Sequence, residues 1–304
     1  MSEAGPPADA LWIVGPGRAG LALGLLLHRA RAVASLAFTG RGDAAPPHPL
    51  FAADPPAAAY LPWPDAPPAA LTGILLAVPD AAIPAAAARL AELPLRPDIP
   101  VLHLSGSVEV AALEPLARAG HPVGGLHPLC AVADPVEGAD RLRGATFGVE
   151  GEGAARELAD RIVRAAGGTA LELAPGSRTP YHAAAVFASN YVVALLAVAE
   201  RLMERAGVPA ERARPALAGL AAGAVENARD RGPAAALTGP VARGDAEVVA
   251  RHLARLSGDE RRLYSLLAAE ALRLARARGL DDAAAARLAA LIAEDADEAP
   301  PAPP

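Results

Sequence analysis

The chain has 304 residues, of which 53% are hydrophobic and 20% charged, and its formal net charge is -6. That apolar content fills a sizeable core and excludes wholesale disorder, while the acidic balance argues against a nucleic-acid partner, since phosphate affinity rests on clustered basic residues. All 28 basic residues are arginines, which excludes Schiff-base catalysis, a Walker A phosphate loop and a lysine proton donor.

One cysteine, Cys130, excludes an intrachain disulfide and any Cys-based metal centre, and no metal site is expected. The first residues, Met1 to Pro7, show neither a basic n-region nor an apolar h-region. No signal peptide is therefore expected, and the expected location is cytoplasmic. The length suits two domains or one large one.

The first half alternates in pattern. Leu11–Val14 reads as a strand, Ala19–Arg29 as a helix and Val33–Phe38 as a second strand. Residues 43–70, rich in Pro and Ala, read as irregular. Thr72–Val78 is a strongly apolar strand, followed by a helix through Leu93 that Asp80 would cap. Further strands are expected at Val101–Leu104, Val123–Leu126, Thr146–Val149 and Ala170–Leu173, with a helix at Ala154–Ala166. Strands alternating with helices imply βαβ units and a mostly parallel sheet. After Pro175 only helices follow: Tyr181–Ala206, Pro209–Arg231, Asp245–Leu256, Asp259–Arg278 and Asp281–Glu294. Asp245, Asp259 and Asp281 stand at N-cap positions and Gly279 at a C-cap. The expected class is α/β: a Rossmann-type, mostly parallel sheet domain over 1–175, an all-α domain over 176–296 and a loose tail over 297–304.

Ala183–Ala199 carries no charge and approaches the length of a membrane span. Ser189 and Asn190 interrupt it and no second such stretch follows, so it reads as a buried central helix. With few aromatics to cover it, burial in a homodimer interface is expected.

The chemistry-bearing residues begin at Gly15-Pro16-Gly17-Arg18-Ala19-Gly20, a G-x-G-x-x-G run between a strand and a helix. Gly15 permits the tight turn, Gly17 lets backbone approach a pyrophosphate, and Gly20 lets helix and strand pack closely. The helix N-terminus offers free N–H groups and about half a positive charge to phosphates. At the end of the second strand an acid would favour NAD and an arginine NADP. Here Phe38-Thr39-Gly40-Arg41-Gly42 lacks an acid until Asp43, and Thr39 and Arg41 suit a 2′-phosphate, so NADP is expected. A single loop arginine is as often a solvated charge, and the missing acid is the firmer half of the argument.

His127 follows a strand end, where ligands bind in such sheets. His182, Ser189 and Asn190 fall on roughly one face of the apolar helix, and buried polar groups there need partners or a task. Each histidine alone is equally consistent with a satisfied structural group. Thr238–Asp245 is a shaped interhelical loop in which Arg243 suits a carboxylate, although an ordinary turn explains it as well. Cys130 reads as a small buried hydrophobe.

Taken together, VGPGRAG, LAVPD, HLSGS, GLHPL, YHAAAVFASNYVVALL and ALTGPVARGD resemble the Rossmann-like oxidoreductases whose helical C-terminal domain was long catalogued as of unknown function. The resemblance spans about residues 10–280, and the fold is similar to the 6-phosphogluconate dehydrogenase superfamily, near pyrroline-carboxylate, prephenate and ketopantoate enzymes. It implies that Gly15 to Gly20, Thr39, Arg41, Ala77, Val78 and Pro79 line an NADP site. It also implies that Ser105, Gly106, His127, His182, Ser189, Asn190, Asn227 and Thr238 to Arg243 surround a small-molecule substrate between the domains. Many relatives place a proton-donating lysine four residues before an asparagine on this helix; here Val186 precedes Asn190. A histidine is the expected replacement, with His182 as acid and His127 as orienting group, and Tyr181 or water next in line. The resulting expectation is an NADP-dependent reductase of a small keto- or imino-acid such as 2-ketopantoate. The alternatives are a non-catalytic NADP-binding or scaffold protein, and a reductase of a cyclic imine or a deazaflavin.

Overall fold

Hydrophobic alternation along the first strand sets the layering. In the computed structural model, which describes residues 9–293, β1 (Asp9–Val14) sends Leu11 and Ile13 to one face of a sheet and Trp12 and Val14 to the other. Such alternation with both faces apolar requires helices on both sides. The first face is covered by α1 (Arg18–Arg29), α5 (Pro135–Arg141) and α6 (Gly153–Ala165). The second is covered by α3 (Ile83–Ala91) and α4 (Glu114–Arg118).

The remaining strands are β2 (Val33–Gly40), β3 (Ala59–Pro62), β4 (Gly73–Leu76), β5 (Val101–His103), β6 (Val123–Pro128), β7 (Thr146–Gly151) and β8 (Thr169–Glu172), with a short α2 (Pro49–Ala52) before β3. The sheet order is β3-β2-β1-β4-β5-β6-β7-β8. All pairs are parallel except β6–β7. The carboxyl ends of β1, β2, β4, β5 and β6 therefore lie along one edge, where ligands of such sheets bind at the point where strand order reverses.

Three expectations are corrected here. Residues 43–70 are not wholly irregular, since they hold α2 and the edge strand β3. Asp80 does not cap the following helix; it opens a short 3-10 turn, Asp80–Ala82, and its carboxylate goes to Ser107 instead. The expected domain boundary at 175 moves, because the chain divides into compact units at Asn190/Tyr191. The cause is Arg178, fully buried in α7 (Arg178–Ala188) and bonded to Glu150 of β7 and the Ser105 carbonyl, which ties α7 to the sheet.

The second unit holds α8 (Asn190–Arg205), α9 (Ala210–Arg231), α10 (Pro233–Ala236), α11 (Pro240–Arg243), α12 (Ala246–Leu253), α13 (Gly258–Ala277) and α14 (Asp282–Ala293). Its core is Val241, Val249, Leu253, Ala268, Leu272, Ala285, Leu288 and Ile292. Asp245 and Asp281 accept amide N–H bonds as N-caps, whereas Asp259 lies in the first turn of α13 behind Ser257. The expected continuous buried helix is corrected as well. Ser189 leaves helical geometry between α7 and α8, and α8 has no buried residue. Among the described residues this apolar stretch is covered only in part, with residues such as Phe187 and Val193 exposed. The expected tail at 297–304 lies outside the described residues.

Candidate active site

The glycine loop follows β1 as its sequence demands. Gly15 has φ 110°, and a Cβ there would lie 2.5 Å from the Ala77 carbonyl oxygen. A Cβ at Gly20 would lie 2.4 Å from the Gly15 carbonyl oxygen. Both positions therefore exclude a side chain within the protein itself. Gly17 differs: a Cβ would meet only the Ala77 oxygen, at 3.9 Å. The fold does not require glycine at this position, and only a close-approaching ligand would.

Gly17 is also the N-cap of α1, without a side-chain cap and without an acid in the first turn. The helix thus presents its first amides and its positive end uncompensated, in the manner of a phosphate site. Arg18 and Ala19 belong to this first turn and Gly20 packs behind it.

In front lies a cleft of about 950 Å³ lined by Gly15, Pro16, Gly17, Thr39, Arg41, Ala77, Val78 and Pro79. Trp63 and Arg89, which the sequence reading missed, also line it. The Arg89 guanidinium lies 4.2 Å from the centre of the Trp63 ring, a cation–π pairing. Asp43 also lines it, so the wall carries two arginines and one carboxylate. Thr39 departs from expectation. It is fully buried, its hydroxyl accepts the Trp12 indole N–H at 2.8 Å and its carbonyl accepts the Gly15 N–H at 2.8 Å. It shapes the cleft, and its hydroxyl is committed to the sheet interior, leaving Arg41 as the cation at the end of β2.

Farther along the same sheet edge, β5 and β6 end in a second group of side chains. Ser105 is buried and its Oγ accepts the N–H groups of Ser107 and Val108 at 3.1 and 3.0 Å, closing a turn. Ser107 donates to Asp80 at 2.6 Å. Gly106 lies between these serines, and a Cβ there would come 2.6 Å from His182 Cδ2 and 2.9 Å from His127 Nε2. The two imidazoles stand 6.0 Å apart at 72°. Asp80 joins the two regions, since its neighbour Pro79 lines the cleft and its carboxylate holds the residue next to Gly106.

Burial, then the charge of His182, then that of Arg178, lowers the His127 pKa to about 4. His127 is therefore neutral at pH 7. Its Nδ1 lies 2.8 Å from the Tyr181 hydroxyl, whose own pKa is raised by burial. His103 is a further histidine that sequence reasoning missed. It is fully buried, and burial followed by the Arg178 charge takes its pKa to about 3. Its motif, HLSGS, was visible in sequence, but inward-facing position on β5 was not. Cys130 is half-buried and burial raises its thiol pKa, which suits an inert side chain.

The remaining sequence candidates stand on other elements. Ser189 and Asn190 are exposed at the break between α7 and α8. Asn227 is exposed in α9 and donates to the Gly223 carbonyl at 2.9 Å. Thr238 and Arg243 are exposed, before and at the end of α11 in the second unit.

Residues 2–128 match the model of a Rossmann-like domain. Residues 145–271 match that of DUF2520, a domain of unknown function. The chain carries the two in that order. No curated protein matches it. Among solved structures it is similar to protein TM1727 from Thermotoga maritima, at 20% identity and TM-score 0.68, covering 88% of this chain and 99% of that one. BF3122 from Bacteroides fragilis, provisionally named an NADP oxidoreductase, gives 20% identity and TM-score 0.66, covering 87% and 98%. A pyrroline carboxylate reductase from Plasmodium falciparum, solved with NADP bound, gives 14% identity and TM-score 0.57, covering 93% and 98%. These likenesses establish the fold.

Proposed function

We infer that the protein is an NADP-dependent oxidoreductase that reduces a small keto- or imino-compound. The observation that carries this reading is the contact through Asp80, which couples the wall of the glycine-loop cleft to the turn on which His127 and His182 converge. A nucleotide cleft and a pair of imidazoles thus share one sheet edge. The names of the Bacteroides and Plasmodium proteins support the cofactor class. The relatives give 2-ketopantoate no support, and the Plasmodium enzyme's name favours a C=N substrate.

The residues fit the cofactor. The open space before Gly17 and the uncapped amides of α1 suit a pyrophosphate. Arg41 and Arg89 suit a 2′-phosphate, and Trp63 offers an apolar wall for a base. When bound, NADPH supplies a hydride.

The chain's own part is to polarise and protonate. His127 is neutral, so it acts as a hydrogen-bond donor to a carbonyl or imine rather than as a cationic acid. His182, across Gly106, is the proton donor of the proposal. Self-association through the exposed apolar helices of the second unit completes the reading, with a homodimer as the proposed assembly. Purified protein assayed with NADPH against a panel of keto acids and cyclic imines tests it. Turnover of at least one panel member is expected. NADPH binding without turnover of any would leave a cofactor-binding protein and reject the enzyme.

A further inference from the structure

His127 is gripped from behind. The Tyr181 and His127 rings meet edge to face, 5.6 Å apart at 88°, with the hydroxyl on Nδ1 at 2.8 Å. Tyr181 owes its place to two features. Arg178, one turn earlier in α7, is locked by bonds to Glu150 Oε2 at 2.6 Å and to the Ser105 carbonyl at 2.7 Å. Gly148 faces His127 across the β6–β7 pair, and a Cβ there would lie 2.4 Å from the Tyr181 oxygen. Only glycine at 148 lets the phenol reach the imidazole.

The direction of this hydrogen bond follows from acidity. A phenol, with an ordinary pKa near ~10, is a far stronger acid than a neutral imidazole N–H, and an imidazole nitrogen is the better base. The hydroxyl therefore donates and Nδ1 accepts. With Nδ1 taken as acceptor, the single proton of the neutral ring sits on Nε2, the nitrogen nearest Gly106.

We propose that Tyr181 is a positioning residue that fixes His127 in the Nε2–H tautomer, so that the ring presents a hydrogen-bond donor over Gly106. The catalytic meaning of this arrangement rests on the reductase reading; the tautomer does not. A donor at Nε2 attracts a carbonyl oxygen or imine nitrogen and strengthens as negative charge develops there. The other tautomer would aim a lone pair at the same atom and repel it. Among the described residues the Tyr181 hydroxyl is the hydrogen-bond partner given to the His127 ring, so its loss frees the tautomer.

The test uses the full chain without cofactor, labelled with ¹⁵N-histidine, in long-range ¹H–¹⁵N correlation spectra at pH 7. His127→Gln removes one of seven histidine patterns and so assigns the signal. In the unsubstituted protein His127 should show the Nε2–H pattern. In Tyr181→Phe, which keeps the ring and deletes the hydroxyl, the pattern should shift towards a mixture of tautomers. Gly148→Ala, which drives a methyl into the phenol oxygen, should shift it the same way. A protonated Nδ1 in the unsubstituted protein overturns the proposal outright, even if both variants fail to fold. An unchanged pattern in a folded Tyr181→Phe protein also overturns it. Where substrate is turned over, Tyr181→Phe should lower kcat about tenfold or more with little change in NADPH affinity. The expected tautomer in a protein that turns nothing over would reject the reductase reading and leave the positioning role standing.

Discussion

The imidazoles of His127 and His182 face each other 6.0 Å apart across a residue that has no side chain, Gly106. Their proximity links β6 and α7, which lie 54 residues apart at the related contact of His127 with Tyr181. Separate roles follow from separate surroundings, because His127 is backed by Tyr181 and kept neutral by burial, while His182 stands on α7 across Gly106. His182→Ala should lower turnover by roughly 10²–10⁴-fold, the usual effect of losing a general acid, and leave the NADPH dissociation constant nearly unchanged. Equal turnover in the variant would reject the assignment. Gly106→Ala places a methyl 2.6 Å from His182, so it should impair turnover by displacing that ring while the protein remains folded.

Cofactor choice should depend on two arginines. Arg41 and Arg89 both line the cleft, and Arg89 is braced over Trp63. NADPH should bind more tightly than NADH. Arg41→Ala and Arg89→Ala should each weaken NADPH by about tenfold, the scale of one charge-assisted contact, and leave NADH almost unaffected. Calorimetric titration of both nucleotides reads the difference. NADH binding as tightly as NADPH in the unsubstituted protein would sink this preference.

What was legible in the sequence was local. The strand-glycine-helix passage at Val14–Gly20 and the apolar runs at Leu11–Val14 and Gly73–Leu76 each announce their element within a few residues. The edge strand Ala59–Pro62 was not legible, because its four residues are partly exposed and lie in a Pro/Ala-rich run without alternation. The site was half legible. His127 and His182 stand out by type and by position after a strand or at a helix start. His103, Arg178 and Glu150 did not, since a buried ion pair between residues 28 apart is a product of topology. The helix expected to run unbroken from Tyr181 to Ala206 is interrupted at Ser189, a local departure that its apolar composition does not announce.

Assembly should follow from the apolar surface of the second unit. Val193 is 67% exposed, Leu220 73% and Leu266 62%, although such residues ordinarily seek burial. A homodimer is therefore expected at micromolar concentration by light scattering. Val193→Arg should shift the population towards monomer. A monomer in the unsubstituted protein at that concentration would count decisively against the interface.

Stability should fall in mild acid because burial keeps imidazoles neutral, His103 and His127 most strongly and His48 in the same direction. An unfolded histidine takes up a proton near pH ~6.5, whereas in the folded protein His127 does so at about 4 and His103 at about 3. Below pH ~6.5 the unfolded chain therefore binds more protons than the folded one, and stability is lost as pH falls towards the folded-state values. Above pH ~6.5 these two groups contribute no slope. At pH ~5 the fully buried His103 alone corresponds to about 2 kcal/mol, from a proton that the unfolded state accepts and the folded state refuses. Urea unfolding between pH ~7.5 and ~4.5 should show this decline. His103→Leu removes one titrating group and puts an apolar side chain in its fully buried place. That variant should flatten the decline and be more stable than the unsubstituted protein at pH ~5. An identical pH dependence in the two proteins would mean that His103 keeps a near-ordinary pKa in the folded state.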